Sequence, residues 1–339
     1  KTLSNGVVHD IVEDQQGTLW FATDHGLNRF NREEQTFERF YLDTAISNHS
    51  YITCIYEDSK GRLWLGTFGS GLLEFNRETA TLARQFIYTP QENSIGGNIV
   101  EAILEDSQGN LWMGGTGCPL TKWDDTNNQF TVYLNDPEDP STISDNAIYC
   151  LYETRVDRPI LWIGTQRNGL NRFIPETESF IHYRNDPHEL FTIANNVIFS
   201  MTTSKDGTLW LGTGGGGISK FSLRSNKFHT FRNPEGLLSN FVWAIRKDGP
   251  HHVWVGTQNS GLFLFNRKTQ TFSPYLFDRD HPEASRSYDI YSLLLDEQGI
   301  LWIGTSNSGL FMIDQENHLY NHFSSDTQNK NTLINDWVR

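Results

Sequence analysis

The chain is poor in cysteine, in cations and in long apolar runs. Three cysteines stand among 339 residues. Cys54 and Cys150 hold the same place in two non-adjacent repeating units, too far apart to bond, and Cys118 falls in a loop of a third. Three free thiols are expected, and they say little about compartment. Lys and Arg number 27 against 41 Asp and Glu, a formal charge of −14 with the acids spread through loops. Such a surface cannot neutralise phosphates, which excludes nucleic acid and disfavours anionic membranes as partners. No apolar run approaches the roughly 18 residues of a spanning helix, so no direct membrane insertion is expected of this piece. A signal peptide is also missing: Lys1-Thr2-Leu3-Ser4-Asn5 opens in repeat phase, which reads as a fragment of a longer protein. Aromatics, by contrast, make up 13% of the chain and hydrophobic residues 37%, enough for a large core.

Seven of the ten tryptophans follow Leu or Val at Trp20, Trp64, Trp112, Trp162, Trp210, Trp254 and Trp302. The steps are 44, 48, 50, 48, 44 and 48 residues, and a period of 40–50 residues with strand-like content marks a propeller or a similar array. The second unit shows the plan. Ile52 to Asp58 is followed by Ser59-Lys60-Gly61, then Arg62-Leu63-Trp64-Leu65-Gly66-Thr67, a loop to Gly71, Leu72-Leu73-Glu74-Phe75, a polar turn and a last strand ending near Tyr88. Short runs of β-branched and aromatic residues between Gly, Asn, Asp and Ser are strands and hairpins. Four strands per unit, A to D, over seven units predict an all-β, seven-bladed β-propeller with four antiparallel strands per blade. The propeller is placed at 1–323, with 324–339 as the start of an eighth repeat leading into a second propeller, since Thr332 to Val338 parallels Thr2 to Val8.

The tryptophans read as structural, one per blade filling the layer against the next. The Asp-x-x-Gly turn before each reads as a tight hairpin rather than a calcium loop, which needs further oxygen ligands. The small residues Asp10, Cys54, Ala102, Cys150, Ser200, Ala244 and Ser292 recur on strand A, as crowding near the axis would require.

The string from Glu57 to Phe75, Glu-Asp-x-x-Gly-x-Leu-Trp-x-Gly-Thr-x-x-x-Gly-Leu-x-x-Phe, resembles the two-component regulator propeller repeat, and Gly299 to Met312 matches its second half. The resemblance extends over all seven units. It implies the extracytoplasmic, periplasmic sensing part of a bacterial inner-membrane receptor whose output is a histidine kinase or a diguanylate cyclase. It further implies a neighbouring propeller and β-sandwich, a homodimer in the full receptor, and an oligosaccharide or other small polar ligand. The pattern departs from the family in three units. Unit 1 has Ala22-Thr23 and a short Asp24-His25 loop, unit 3 has Gly115 to Leu120 with Trp123 for Phe, and unit 4 has extra residues at Arg155 to Pro159.

In this architecture D–A and B–C loops share one face. The D–A loops are long and varied (43–49, 89–97, 135–145, 184–195, 233–239 and 278–287), and recognition usually resides in such loops on a rigid scaffold. The candidate contacts on this face are Asp24, His25, Phe68, Ser70, Cys118, Gln166, Arg167, Asn168, Gln258, Asn259, Ser306 and Asn307. Amides, hydroxyls and rings of this kind suit a neutral, hydroxyl-rich ligand, although Asn, Ser and Gly also serve turn geometry. The run Gly212 to Gly217 lacks a phosphate loop's Gly-Lys-Ser/Thr ending and would leave room above blade 5. No cofactor is expected. No His-x-His or His-Glu-x-x-His spacing suggests zinc, although Asp278-Arg279-Asp280-His281 is a candidate cation loop. His251-His252 falls in a solvated turn on the other face. Two alternatives stay open: a protein–protein interaction propeller without a small ligand, and a streptogramin-lyase-like enzyme using His25, His49, Glu92, His188 and Glu189.

Overall fold

The computed structural model describes residues 8–323 except 43–50, 91, 156–157, 190, 205, 223–224, 226, 232–236, 238, 279, 307, 315 and 317–318. Seven four-stranded antiparallel sheets follow one another along the chain, each built from consecutive strands. The strands A are Val8–Glu13, Ile52–Glu57, Ala102–Glu105, Ile148–Arg155, Ile198–Thr203, Val242–Asp248 and Ile290–Leu295. They adjoin their neighbours around the axis, and the first meets the last, so the ring is a closed seven-bladed propeller. The helical content of the described residues is one 3-10 turn, Ala284–Arg286.

The core is a set of layers between blades, not a central mass. Each of the seven hydrophobic clusters draws on two adjacent blades, and the one joining Val8, Phe21 and Phe30 to Trp302 and Met312 closes the ring. The seven repeat tryptophans are buried. Burying one covers roughly 150–250 Å², about 4–6 kcal/mol as an upper bound. Most meet the strand-C ring of the following blade: Trp20 with Phe75, Trp64 with Trp123, Trp112 with Phe173, Trp162 with Phe221, Trp210 with Phe265 and Trp302 with Phe30, at 5.0–5.9 Å. The distant halves of the repeat, Leu-Trp and Gly-Leu-x-x-Phe, are therefore two sides of one inter-blade contact.

The glycine after the tryptophan lets the next blade approach. A Cβ on Gly114 would collide with Ile148, and one on Gly256 with Ile290. The small strand-A residues lie in the same seam: Cys54 Sγ faces Gly66 and the Val100 carbonyl oxygen. The following threonine donates its hydroxyl across the B–C loop, as Thr67 does to Gly71 O at 2.8 Å and Thr165 to Gly169 O at 2.8 Å. Gly71 has φ +74 and a Cβ there would strike the Phe86 carbonyl oxygen, so only glycine fits.

The Asp-x-x-Gly turn does more than reverse the chain. Asp14, Asp58, Asp106 and Asp296 each accept the indole N–H six residues on, at 2.7–3.0 Å. In blades 4 and 5, Thr154 and Ser204 accept the same proton from Trp162 and Trp210 at 3.2 and 3.4 Å. The preceding glutamate joins blades. Glu13, Glu57, Glu105 and Glu153 accept a backbone N–H from the A–B turn of the previous blade, from Glu297, Gln15, Ser59 and Ser107.

Candidate functional site

The B–C loops meet the segments leading into strand A. Phe68, Gln166, Gly214, Gln258 and Ser306 each donate their backbone N–H to the carbonyl of a residue just before or opening their own blade's strand A, at 3.0–3.1 Å. Both loop sets therefore share one face, as expected. At its centre lies a feature that loop inspection alone misses. In six strands A the register slips between the first and third residues, which leaves the second as the extra residue of a β-bulge. Bulges re-aim side chains, and here the second residues line the axial opening. They are His9, Thr53, Tyr149, Phe199, Trp243 and Tyr291, joined by Glu101 just before the third strand A and by Tyr51, around a cavity of about 180 Å³. The rings form a collar: His9 stacks on Tyr51 at 4.6 Å, Tyr149 meets Phe199 at 5.2 Å, Phe199 meets Trp243 at 4.3 Å and Trp243 meets Tyr291 at 4.9 Å.

Below the collar the channel widens to about 630 Å³, lined by residues that include Asp10, Tyr56, Cys150, Ser200 and Arg246. Asp10 accepts the N–H groups of Ile11 and, across the blade boundary, Ile55, both at 2.8 Å. Burial holds its carboxyl above the usual aspartate value despite these bonds and the field of Arg246. Arg246 lines this channel with part of its surface exposed, and desolvation by the surrounding protein lowers its pKa while Asp10 acts in the opposite direction. The three thiols are free. Burial pushes Cys118 up to about 11 and Cys150 to about 12, and raises Cys54 as well, so all are poor nucleophiles.

Three of the loop residues expected to make contacts lead to this collar. Asp24 holds His9 Nε2 at 2.6 Å, Phe68 lies exposed with its ring 5.2 Å from Tyr51, and Gln166 donates to the Tyr149 hydroxyl at 2.8 Å. The others are set in their own turns. His25 and Arg167 are exposed, and the Arg167 N–H is bound by Asp145. Asn168 donates to Ser144 O, and Gln258 is half-buried. Asn259 has φ +55 and gives its N–H to Asp289, and Ser306 donates its hydroxyl to the same carboxylate. Ser70 is buried, its N–H bound by the Thr67 hydroxyl. Asn307 lies outside the described residues.

Several expectations need correction. Cys118 is not in a loop: it opens the strand Cys118–Asp124 and is fully buried in the layer with Trp64 and Trp123. The glycine run leaves no open space above blade 5. A Cβ on Gly214 would meet Val197, one on Gly216 would meet Ala194, and the Phe241 ring lies over Gly215. Asp278 is a buried loop organiser rather than a cation ligand. Its oxygens accept from Tyr288 OH at 2.7 Å, His281 N at 2.8 Å, Asp280 N at 3.0 Å and Tyr320 OH at 3.2 Å. Hydrogen bonds that outweigh burial lower its pKa. Arg279, His49 and the loop 43–49 lie outside the described residues. Glu92, His188 and Glu189 are exposed on D–A loops of different blades from His25, so the residues of the lyase reading are dispersed.

The collar residues have a sequence signal: in aligned repeats the second column of strand A carries rings in five blades, between an apolar column and a small one.

Fold and site together define a seven-bladed propeller with an aromatic axial mouth on its variable face. The sequence model of the two-component regulator propeller matches residues 2–25, 46–69, 94–117, 192–215, 236–259 and 285–307. The unmatched unit is the fourth, whose A–B hairpin is lengthened. Six of the seven units thus match the two-component regulator propeller repeat. No curated protein matches it. Among solved structures it is similar to the extracellular domain of the putative hybrid two component system BT3049 from B. thetaiotaomicron, at 24% identity and TM-score 0.57, over 99% of this chain and 37% of that one. The extracellular domain of the putative one component system BT4673 from the same organism matches at 25% and 0.56, over 94% and 43%. PorZ, a surface component of the type-IX secretion system of Porphyromonas gingivalis, matches at 20% and 0.67, over 91% and 46%. The chain spans less than half the length of each.

Proposed function

We propose that this propeller is the periplasmic ligand-sensing module of a transmembrane signalling receptor of the two-component type, and that the axial collar is where its ligand docks. The collar carries the reading. Rings from successive blades surround an opening on the variable face, with the Gln166 amide and Asp24 carboxylate behind them. Rings beside planar hydrogen-bonding groups suit an oligosaccharide or another polar molecule with flat apolar faces. The fold is also similar to the extracellular domains of a putative hybrid two-component system and a putative one-component system. In the full receptor we place it beside a second propeller and a β-sandwich, in a homodimer, with a kinase or diguanylate cyclase output. A ligand transmits a signal there only if it binds two arrangements of these modules with different affinity.

A second reading is a docking platform for a protein partner. It is favoured by the exposed apolar residues Tyr41, Phe68, Tyr88, Leu134, Phe241 and Leu276 on the same face. Calorimetry against an oligosaccharide panel separates the two. The sensing reading expects at least one ligand whose binding falls about tenfold or more in Trp243→Ala and Tyr291→Ala. A ligand whose hydrogen-exchange protection maps to the A–B turns would overturn the placement.

A further inference from the structure

The inner edge of strand A pairs with no other strand in any of the described sheets, and its backbone borders the axial channel. The ladder fixes which groups point inward. Asp14, Asp58, Asp106 and Ser204 each donate their N–H across the A–B hairpin at 2.9–3.0 Å. Bonding sense alternates along an antiparallel pair, so the residues three earlier, Ile11, Ile55, Ile103 and Met201, turn their N–H away from strand B, toward the axis. Leu151 holds the same place in blade 4, where Cys150 pairs with Gly164 as Asp10 pairs with Ala22. Two of these N–H groups are seen bonded there. The Asp10 carboxylate takes Ile11 N and Ile55 N, both at 2.8 Å, and so bridges two neighbouring blades.

Blades 3 to 5 have the same donors and no such carboxylate. Ala102 stands in the place of Asp10 without a polar side-chain atom, Cys150 Sγ donates to Ile198 O at 3.4 Å, and Ser200 Oγ has no hydrogen-bond partner among the described residues. Ile103, Leu151 and Met201 nevertheless line the channel of about 630 Å³, their side chains packed into the layers between blades. Arg246 is the one cation among the described lining residues, and it makes no hydrogen bond or ion pair with the described residues. Of the channel carboxylates besides Asp10, Glu13 and Asp296 are bound by Arg32, Glu101 accepts the Thr116 N–H, and Glu297 is exposed.

We propose that the channel binds the carboxylate of a small organic acid, held by the strand-A N–H groups of blades 3 to 5 as blades 1 and 2 hold Asp10, with Arg246 as its counter-charge. Hydrogen bonds from fixed N–H groups to an anion are charge-assisted and directional. The formal charge of −14 repels anions at long range, so binding depends on these short contacts and on fit. The site lies below the collar and does not depend on a ligand docking there.

The test titrates the 15N-labelled 339-residue chain with propionate and with propionamide, its uncharged isostere. Propionate should move the amide signals of Ile103, Leu151 or Met201 saturably, and bind at least about tenfold more tightly than propionamide. Arg246→Gln should weaken propionate at least about tenfold with an unchanged melting curve. Ala102→Asp, which places a carboxylate where blade 1 has Asp10, should shift the Ile103 and Leu151 amides without any ligand and abolish their response to propionate. If that variant does not fold, Arg246→Gln decides alone. Equal affinity for the two probes, full affinity in Arg246→Gln, or no saturable shift at these amides would mean a channel filled by water only and overturns the assignment. Binding of an oligosaccharide at the collar, or its failure, leaves this outcome untouched.

Discussion

Asp14 shows how much one residue of the repeat holds together. Its carboxylate accepts from Gln16 N, Thr18 N, Trp20 Nε1 and Arg77 Nη1 at 2.7–3.0 Å, the last reaching across from blade 2. Burial alone would raise its pKa, but these bonds to the charged form prevail and lower it. An aspartate depressed below its unfolded value near 3.8 contributes stability that is fully present above that value and lost as pH falls through the folded one. Asp125 and Asp278 are depressed too and act in the same direction, whereas Asp10, raised by burial, acts against them. The melting temperature should therefore stay level down to about pH 5 and fall below about pH 4. In Asp14→Asn that fall should be shallower; parallel curves for variant and parent would remove Asp14 from the account. The six-residue spacing from Asp to Trp stands openly in the sequence, and so does the need for a turn. That the carboxylate reaches back over the hairpin to the indole does not, because it depends on the side chain's path in space. Cys118 was misread for a related reason: Gly114 to Pro119 looks like loop composition, yet the strand resumes at Cys118 because Gly115 and Gly117 fit closely around Ile99.

At the level of blades, the repeat predicts seven equal junctions and the structure shows unequal ones. The junctions from blade 7 through blade 4 carry the glutamate clasp described above. Between blades 4 and 5, where Thr203 replaces the glutamate, the Tyr152 hydroxyl bonds Thr203 Oγ1 at 2.8 Å instead. The junction of blades 6 and 7 has lost three features. Leu295 stands at the glutamate position, Ile313 replaces the receiving ring, and Trp254 Nε1 is buried without a hydrogen-bond partner among the described residues. An unpaired buried donor costs about 1–3 kcal/mol, so this junction should open first. Hydrogen exchange should run faster in Ile290–Leu295 than in Ile52–Glu57 under identical conditions. Equal or greater protection in blade 7 would mean that the apolar layer around Phe277 and Phe311 alone sets the stability of the seam. Blade number and strand order were readable because the period repeats one packing unit. The collar was not, because its residues differ from blade to blade and a bulge, invisible to simple alternation, turns them toward the axis.

Across the whole molecule, the described residues close the ring without exchanging a strand, since the first and last sheets each use only consecutive strands. Side chains must therefore supply what a shared strand would. Arg32 does so with Glu13 at 2.8 Å in its own blade, and with Asp296 at 3.0 Å and Gln298 at 3.0 Å in the last one, above the layer of Phe21, Phe30 and Trp302. The Asp296 side chain is fully buried and that of Glu13 nearly so, so removing the guanidinium strands two carboxylates in a poorly hydrated seam. Arg32→Ala should cost about 2–4 kcal/mol in denaturant unfolding, the lower part of this range reflecting the partly exposed arginine. Arg29→Ala, which removes a more exposed partner of Glu38 within one blade, should cost about 0–1 kcal/mol. If the two variants unfold alike, closure rests on the aromatic layer and the ion pairs are incidental. If they differ as expected, the ring is a rigid frame fastened at one seam. A ligand docked at the axial collar would then act by changing how that frame meets its neighbours, not by deforming the blades.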